Sequence, residues 1–542
     1  MFYEDLIPVL VTYPDPAAGW NNGVYTERKP VFREISWNDV DPSFTVKDSA
    51  ITLSSLNWIE TEVSGFGVYN YAEGLGFKKK TGLKDGKWTV TFKNASENEM
   101  KVSCFANNIL KLNAFAVPAC SEASTEFTLC SVEEETLLQF FVPSEAKVKE
   151  DTVPANLTIT NISYEELPLK APKKKPTVFL ASDSTVQSYE RFYYPQTGWG
   201  QVLYRFFNGG KDTPEIQSPD LCYPQNHIYE TPMFNIENRS IGARSSRSFI
   251  NEGKWDRLLA LSAPGDYCFI QWGHNDATAV RPNRFVSTAD FGFWLKKYIY
   301  SCRARKVNIV LVTPIARRNC DDHEGNFIAS FGKYRDAMVA VAEEENVPYI
   351  DLCNLTVEYL NSIGSEESKL IYLWAAPGAY PEGAYADGVH DNTHLQEYGA
   401  TMFAKLVAQA ILDSDRPELA PLKPAITTDF KIAKPAPVAN PEPADSTKPS
   451  GFALQELHIA DGVANFLLIW NDVEGAVSYT VYRKGSVDFQ FFPLKTVSAE
   501  EKKTSPVLPF TIPASDVYQV YVAAKFADGS EGAHSRIIEF RA

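Results

Sequence analysis

The chain has 542 residues, too many for one hydrophobic core, so three or four domains are expected. Its 44% hydrophobic and 22% charged residues are those of ordinary globular protein, and no apolar run approaches the ~20 residues that cross a bilayer. A formal net charge of −16 argues against nucleic acid and against an anionic membrane surface as partners, because both need a basic face.

The chain opens MFYEDLIPVLVTYPDP, with acidic residues where a secretory leader needs basic ones, which predicts a cytoplasmic protein, or a secreted one only if a leader has been removed. The 8 cysteines contain no C-x-x-C pair and do not resemble a zinc framework; Cys268, in the run YCFI, reads as a buried thiol, and a reducing compartment is favoured. Residues 1–169 carry short β-rich runs (KWTVTF, MKVSCFA, TEFTLC, LLQFFV) between Gly, Asn, Ser and Pro signals, the pattern of an N-terminal β-sandwich. KAPKKKP, 170–176, reads as a linker.

From 177 to 415 the texture changes. Apolar strand candidates (TVFLA, DYCFIQW, VNIVLVT, PYIDL) alternate with helical stretches starting ADFGFW, FGKYRD and EYGATM, which predicts a parallel sheet covered on both faces, a three-layer α/β/α domain. Residues 416–450 are proline-dense and read as a linker, extended at least in the second half. Residues 451–542 return to strands (NFLLIWN, SYTVYRKG, YQVYVAAKF, RIIEFRA); a Trp on one and tyrosines on the next resemble a fibronectin type III β-sandwich.

The chemistry-bearing residues sit at strand exits of the α/β segment. TVFLASDSTVQ carries Asp183-Ser184-Thr185 off the first strand, at the carboxyl edge where open parallel sheets bind ligands. Alone it is equally a helix cap. DGVHDNTHLQEYGA places Asp391 three residues before His394, and a serine becomes a nucleophile when a histidine takes its proton and a carboxylate fixes the imidazole. No G-x-S-x-G elbow exists, which counts against the α/β-hydrolase arrangement. A small turn at Gly242-Ala243 and the carboxamide of Asn275, in FIQWGHND, are candidate oxyanion donors.

Two ambiguities are internal. Asp387-Gly-Val-His390 is a second Asp-x-x-His, readable also as a loop near the pocket rim, and His390 with His394 could be read as a metal pair, a weaker reading than the triad because no third ligand is evident. Arg239, Arg244, Arg247, Arg281 and Arg284 cluster around the Gly242-Ala243 turn and after QWGHND; most read as structural, but a guanidinium can grip a carboxylate bidentately. Arg244, His390 and Trp272 are the candidate substrate contacts. The insertion KDTPEIQSPDLCYPQNHIYETPMF reads as an ordered loop that walls the cleft or pads the surface.

Ser184, Gly242-Ala243, Asn275 and Asp391/His394 correspond in order to the four blocks of SGNH (GDSL-like) hydrolases. ASDSTVQ, GWGQ (198–201), ARSSRSFINEGKW, QWGHND and DNTHLQEYGA more closely resemble the rhamnogalacturonan acetylesterases, over roughly 177–412, and the region with YNYAEGLGF is similar to the galactose-binding-like domain some members carry. The resemblance implies a serine esterase without metal or cofactor, acting on an acetylated polysaccharide or oligosaccharide. In it Ser184 is the nucleophile, His394 the base and Asp391 its orienter, with the N–H of Ser184, the turn N–H and Asn275 as oxyanion hole. The family's oxyanion glycine falls here on Ala243, which keeps the N–H but suffers if φ must be positive. Acetylated xylan, small acyl esters and a decayed sugar-binding protein are the alternatives.

Overall fold

The computed structural model describes residues 79–541, with the backbone of several earlier strands, apart from 142–156, 211, 218–225, 279–283, 319–325, 387, 430, 436–446, 461–462, 486–490 and 515–516. Asp387 and Arg281 lie outside the described residues.

Near the N-terminus two sheets face each other. One runs in the order 109–117, 100–106, 135–141, 74–80, 32–36 and the other 121–130, 85–94, 157–166, 51–53. The strand Asp85–Asn94 alternates inward and outward, so Trp88, Val90 and Phe92 enter a shared core with Val102, Leu138 and Ile159.

The segment from 177 is built on β1 (Thr177–Ala181), β4 (Asn235–Asn238), β5 (Tyr267–Gln271), β6 (Asn308–Val312) and β7 (Tyr349–Ile350), with β2 (Glu215–Gln217) and β3 (His227–Glu230) at one edge. The sheet order is β2-β3-β4-β1-β5-β6-β7. β1, β4, β5, β6 and β7 are parallel, whereas β2 and β3 pair antiparallel, so the sheet is mixed rather than wholly parallel. That edge hairpin comes from the Pro-rich insertion: Tyr229 stacks on Tyr204 at 4.2 Å, so its described part extends the sheet and does not wall the cleft.

Alternate residues of the central strands feed two separate cores. Val178, Leu180, Phe269, Val310 and Val312 pack on one side, under α1 (Trp199–Val202), α6 (Leu352–Ser368) and α7 (Glu397–Asp413). Phe179, Ala181, Cys268, Ile270 and Leu311 pack on the other, under α2 (Ser246–Asn251), α3 (Lys254–Leu261), α4 (Thr288–Ala304) and α5 (Gly332–Glu344). This is a three-layer α/β/α arrangement, and burial on both faces explains why its strands read as unbroken apolar runs. Ser245 and Ser287 cap α2 and α4 by accepting from the Ser248 and Asp290 N–H. β8 (Tyr372–Ala375) and β9 (Val389–Leu395) form a separate two-stranded ribbon leading into α7. Gly399 lets α7 press against that ribbon, since a Cβ there would lie 2.0 Å from the Ile371 carbonyl oxygen.

Both expected linkers are partly structured. Lys173 pairs with buried Asp266 at 2.7 Å, and Lys170 donates to the Leu259 and Ser262 carbonyls at the end of α3. At the other end a 3-10 helix at Ala420–Ala425 buries Leu419, Leu422 and Ala425 in the core beneath α7. The proline-dense stretch therefore begins as part of this core, because Leu419 and Leu422 fall three apart on one face. The N-terminal sheets also dock here. Asp256 of α3 takes the Lys111 ammonium and the Cys130 N–H, and Arg305, just past α4, reaches Asp85 at 2.6 Å and the Ser131 carbonyl.

After 446, a three-stranded sheet (453–460, 463–469, 507–513) faces a second sheet built on 476–485 and 517–526. Trp470, Phe466 and Tyr479 fill the space between them. Among the described residues no helix is long and apolar enough to cross a membrane.

Candidate active site

As β1 leaves the sheet, Asp183 and Thr185 turn inward and are fully buried, while Ser184 between them stays half-buried. Asp183 Oδ1 accepts from the Thr185 N–H and hydroxyl at 2.9 and 2.8 Å, closing a tight turn that leaves the Ser184 side chain outward. Gln271 donates to the Thr185 hydroxyl at 2.7 Å and accepts from the Trp199 indole at 3.0 Å. Asn238 donates to the Val186 carbonyl at 2.7 Å, and Tyr189 donates to the Ser184 carbonyl at 2.7 Å. GWGQ explains itself here. A Cβ on Gly198 would lie 2.3 Å from the Gln187 carbonyl oxygen, and one on Gly200 2.6 Å from that of Val186, so bare backbone lets α1 press on the Ser184 turn. Gln201 then accepts the Tyr189 N–H at 3.0 Å.

From β9, His394 Nε2 lies 2.9 Å from Ser184 Oγ and its Nδ1 2.6 Å from Asp391 Oδ2. Asp391 Oδ1 accepts the N–H groups of Thr393 and His394 at 2.6 and 3.0 Å, so one carboxylate orients both the ring and its backbone. Burial would raise the Asp391 pKa, but the His394 hydrogen bond and charge, with those two amides, hold it down at about 2. Both ring nitrogens of His394 face Ser184 and Asp391, which leaves neither for a metal. His390, the rival imidazole, is exposed and stacks on Trp374 at 4.5 Å.

A cleft of about 730 Å³ opens over Ser184, lined by Gly242, Ala243, Asn275 and His394 among others. The turn lies directly on the serine: a Cβ built on Gly242 would sit 3.4 Å from Ser184 Cβ. The Gly242 N–H is not available as an oxyanion donor, because Gln187 Oε1 accepts it. The Ala243 N–H meets no acceptor among the described residues, and Ala243 adopts φ +64°, the left-handed conformation that favours glycine. Asn275 gives one amide hydrogen to the Arg244 carbonyl at 2.9 Å, which fixes its carboxamide and leaves the second hydrogen for a ligand.

Of the expected substrate contacts, Arg244 lines the cleft with its guanidinium already engaged, and Trp272 does not line it. Trp272 is wholly buried against Phe249, and the Arg244 guanidinium is spent on Glu252 at 3.0 Å and the Gly242 carbonyl at 2.9 Å. Burial decides against Trp272, which sequence proximity to a motif placed near the site. Arg239 likewise pairs with Glu237 in the interior. His390 does not line the cleft. Arg284 does, donating to the Ala243 carbonyl at 3.3 Å, as does Arg317, stacked 4.8 Å from the Phe331 ring centroid. Burial and the Arg317 charge push the His274 imidazole well below its ordinary range, so the floor of the cleft presents a neutral ring. Burial pushes Asp276 up to about 7 although its carboxylate accepts from Ser246 and Gly273. Gln187 and Gln201 were legible only as letters of quoted motifs; nothing in the spacing announced their partners.

The family model of GDSL-like lipases/acylhydrolases matches residues 224–401. A rhamnogalacturonan acetylesterase of Bacillus subtilis, RhgT, is 35% identical over 239 residues, 44% of this chain and 90% of the relative. The chain belongs to this family of GDSL-like esterases. A second family member from Bacillus subtilis, the probable rhamnogalacturonan acetylesterase YesY, is 34% identical over 241 residues, 44% of this chain and 94% of its own. The solved structure of the Bacillus subtilis protein YxiM aligns over 66% of this chain and 87% of that one, at 23% identity and a TM-score of 0.35.

Proposed function

We propose that this GDSL-like esterase removes acetyl groups from an acetylated plant polysaccharide, rhamnogalacturonan first among them, through an acetyl-Ser184 intermediate. The observation that carries the reading is the unbroken Ser184–His394–Asp391 chain, at 2.9 and 2.6 Å, beneath an open cleft. The substrate rests on the relatives' names.

With Nδ1–H donated to Asp391, the Nε2 lone pair of His394 takes the Ser184 proton as Oγ attacks the acetyl carbonyl. Ser184 N–H, Ala243 N–H and Asn275 Nδ2–H face the developing oxyanion. Collapse expels the sugar oxygen, which takes the proton from Nε2. A water then gives its proton to Nε2 and attacks the acetyl carbon; acetate leaves and the proton returns to Ser184. Residues 1–169 and 451–542, read as galactose-binding-like and fibronectin type III-like sandwiches, flank this catalytic unit in the same proposal.

Acetate release from acetylated rhamnogalacturonan and from 4-nitrophenyl acetate tests the reading. Ser184→Ala should reduce both by about 10³-fold or more. Undiminished turnover would remove Ser184 from the chemistry, and faster release from acetylated xylan would move the substrate.

A further inference from the structure

Beside the nucleophile turn, Tyr189, Phe192, Tyr193 and Tyr194 crowd into six residues, and the last three are 56%, 37% and 46% exposed. Tyr189 and Tyr193 line the catalytic cleft. Their rings meet at 6.2 Å, Phe192 meets Tyr193 at 5.3 Å, and Tyr194 meets Tyr380 at 5.5 Å, so the aromatic strip continues from the cleft onto the surface. A mobile loop would let such rings collapse inward, but this backbone is held from both sides. Tyr189 N–H is fixed by Gln201, the Phe192 carbonyl accepts the Ala384 N–H at 2.8 Å, and Thr197 N–H donates to the Leu395 carbonyl at 3.0 Å, next to His394. Gly383 permits that lacing: a Cβ there would lie 2.8 Å from the Phe192 oxygen.

Large rings pinned in water next to a catalytic serine form a surface that gains free energy when something flat and apolar covers it. A pyranose ring has that form: a C–H face that packs on a π-system and a rim of hydroxyls that stays hydrated. Glu190 and Glu382 flank the strip, which disfavours an anionic lipid surface as the occupant. We propose that Phe192, Tyr193, Tyr194 and Tyr380 form a stacking platform for a pyranose ring of the polymer that neighbours the acetylated sugar. This rests on the polysaccharide reading above and deepens it, because a platform that runs from the cleft mouth out onto the surface serves a chain, and its outer rings are idle for a small ester.

Phe192→Ala and Phe192→Trp, each compared with the unaltered full chain on acetylated rhamnogalacturonan and 4-nitrophenyl acetate, test it. The alanine variant should lose about tenfold more kcat/KM on the polymer than on the small ester, mainly through KM, and the tryptophan variant should retain the polymer activity. Equal losses on both substrates, or none on the polymer, overturn the platform while leaving the substrate reading intact. An unaltered protein that cleaves only the small ester overturns that reading, and the platform with it.

Discussion

The serine and the histidine arrive at the site on very different supports. Ser184 sits on a turn whose neighbours are fully buried and bonded to Gln271, Asn238 and α1. His394 and Asp391 sit on the two-stranded β8–β9 ribbon, and each side chain is 29% exposed. Ser184 is placed by the central sheet; His394 is placed by a separate two-stranded ribbon and by the Asp391 carboxylate. One arm is rigid because of packing, the other because of a local hydrogen-bonded loop, and the two fail in different ways.

The base side is broken most directly by Asp391→Asn, which loses the charge and mis-sets the imidazole tautomer. Acetate release should fall by about 10²–10⁴-fold. With its pKa held at about 2, against ~3.9 for a free aspartate, Asp391 contributes stability that is present above pH ~4 and is lost as pH falls through 2. That contribution is about 1–2 kcal/mol after allowance for screening. Acid unfolding should therefore show the wild-type advantage over Asp391→Asn constant above pH ~4, shrinking below it and gone once pH has fallen through 2. An advantage still undiminished at pH 2 contradicts the assignment.

The packed side is broken by Gly198→Ala, whose Cβ has no room beside Gln187 and Val186. Overpacking should cost about 1–3 kcal/mol in thermal unfolding. A nucleophile turn displaced by ~1 Å should lower kcat about 10–100-fold. Full activity would mean that the turn is held elsewhere. The smallest effect belongs to Ala243→Gly. Relief of left-handed strain, roughly 1–2 kcal/mol, is offset by the extra freedom of glycine in the unfolded chain, leaving about 0.5–1 kcal/mol of stabilisation and less than a threefold change in rate. A tenfold gain would show that the alanine misdirects its N–H.

The same contrast explains what the sequence made legible. β1, β5 and β6 are continuous apolar runs because both faces are buried, and α4, α5 and α7 begin within a residue of the expected starts. α6 escaped notice because NLTVEYLNSIGSEES is rich in Asn, Ser and Thr and is interrupted by Gly364 at φ +79°. The β2–β3 hairpin hid in a proline-rich insertion. Within the site, spacing offered two Asp-x-x-His pairs, and the family resemblance of DNTH chose Asp391 and His394 between them. Arg244 and Trp272 could not be sorted, because whether a side chain turns toward the cleft or the core depends on layers far away in sequence.

The Asp256 and Arg305 contacts with the N-terminal sheets bear on where this protein can be cut. A fragment starting at Thr177 would strip Lys111 and the Cys130 amide from a carboxylate whose side chain is 8% exposed, and Asp85 from a guanidinium that is 5% exposed. Each would be left with its charge solvated on one side and stranded on the other. The severance plane for a minimal esterase therefore runs through an electrostatic seam, and shortening the gene there calls for neutral residues at 256 and 305 as well.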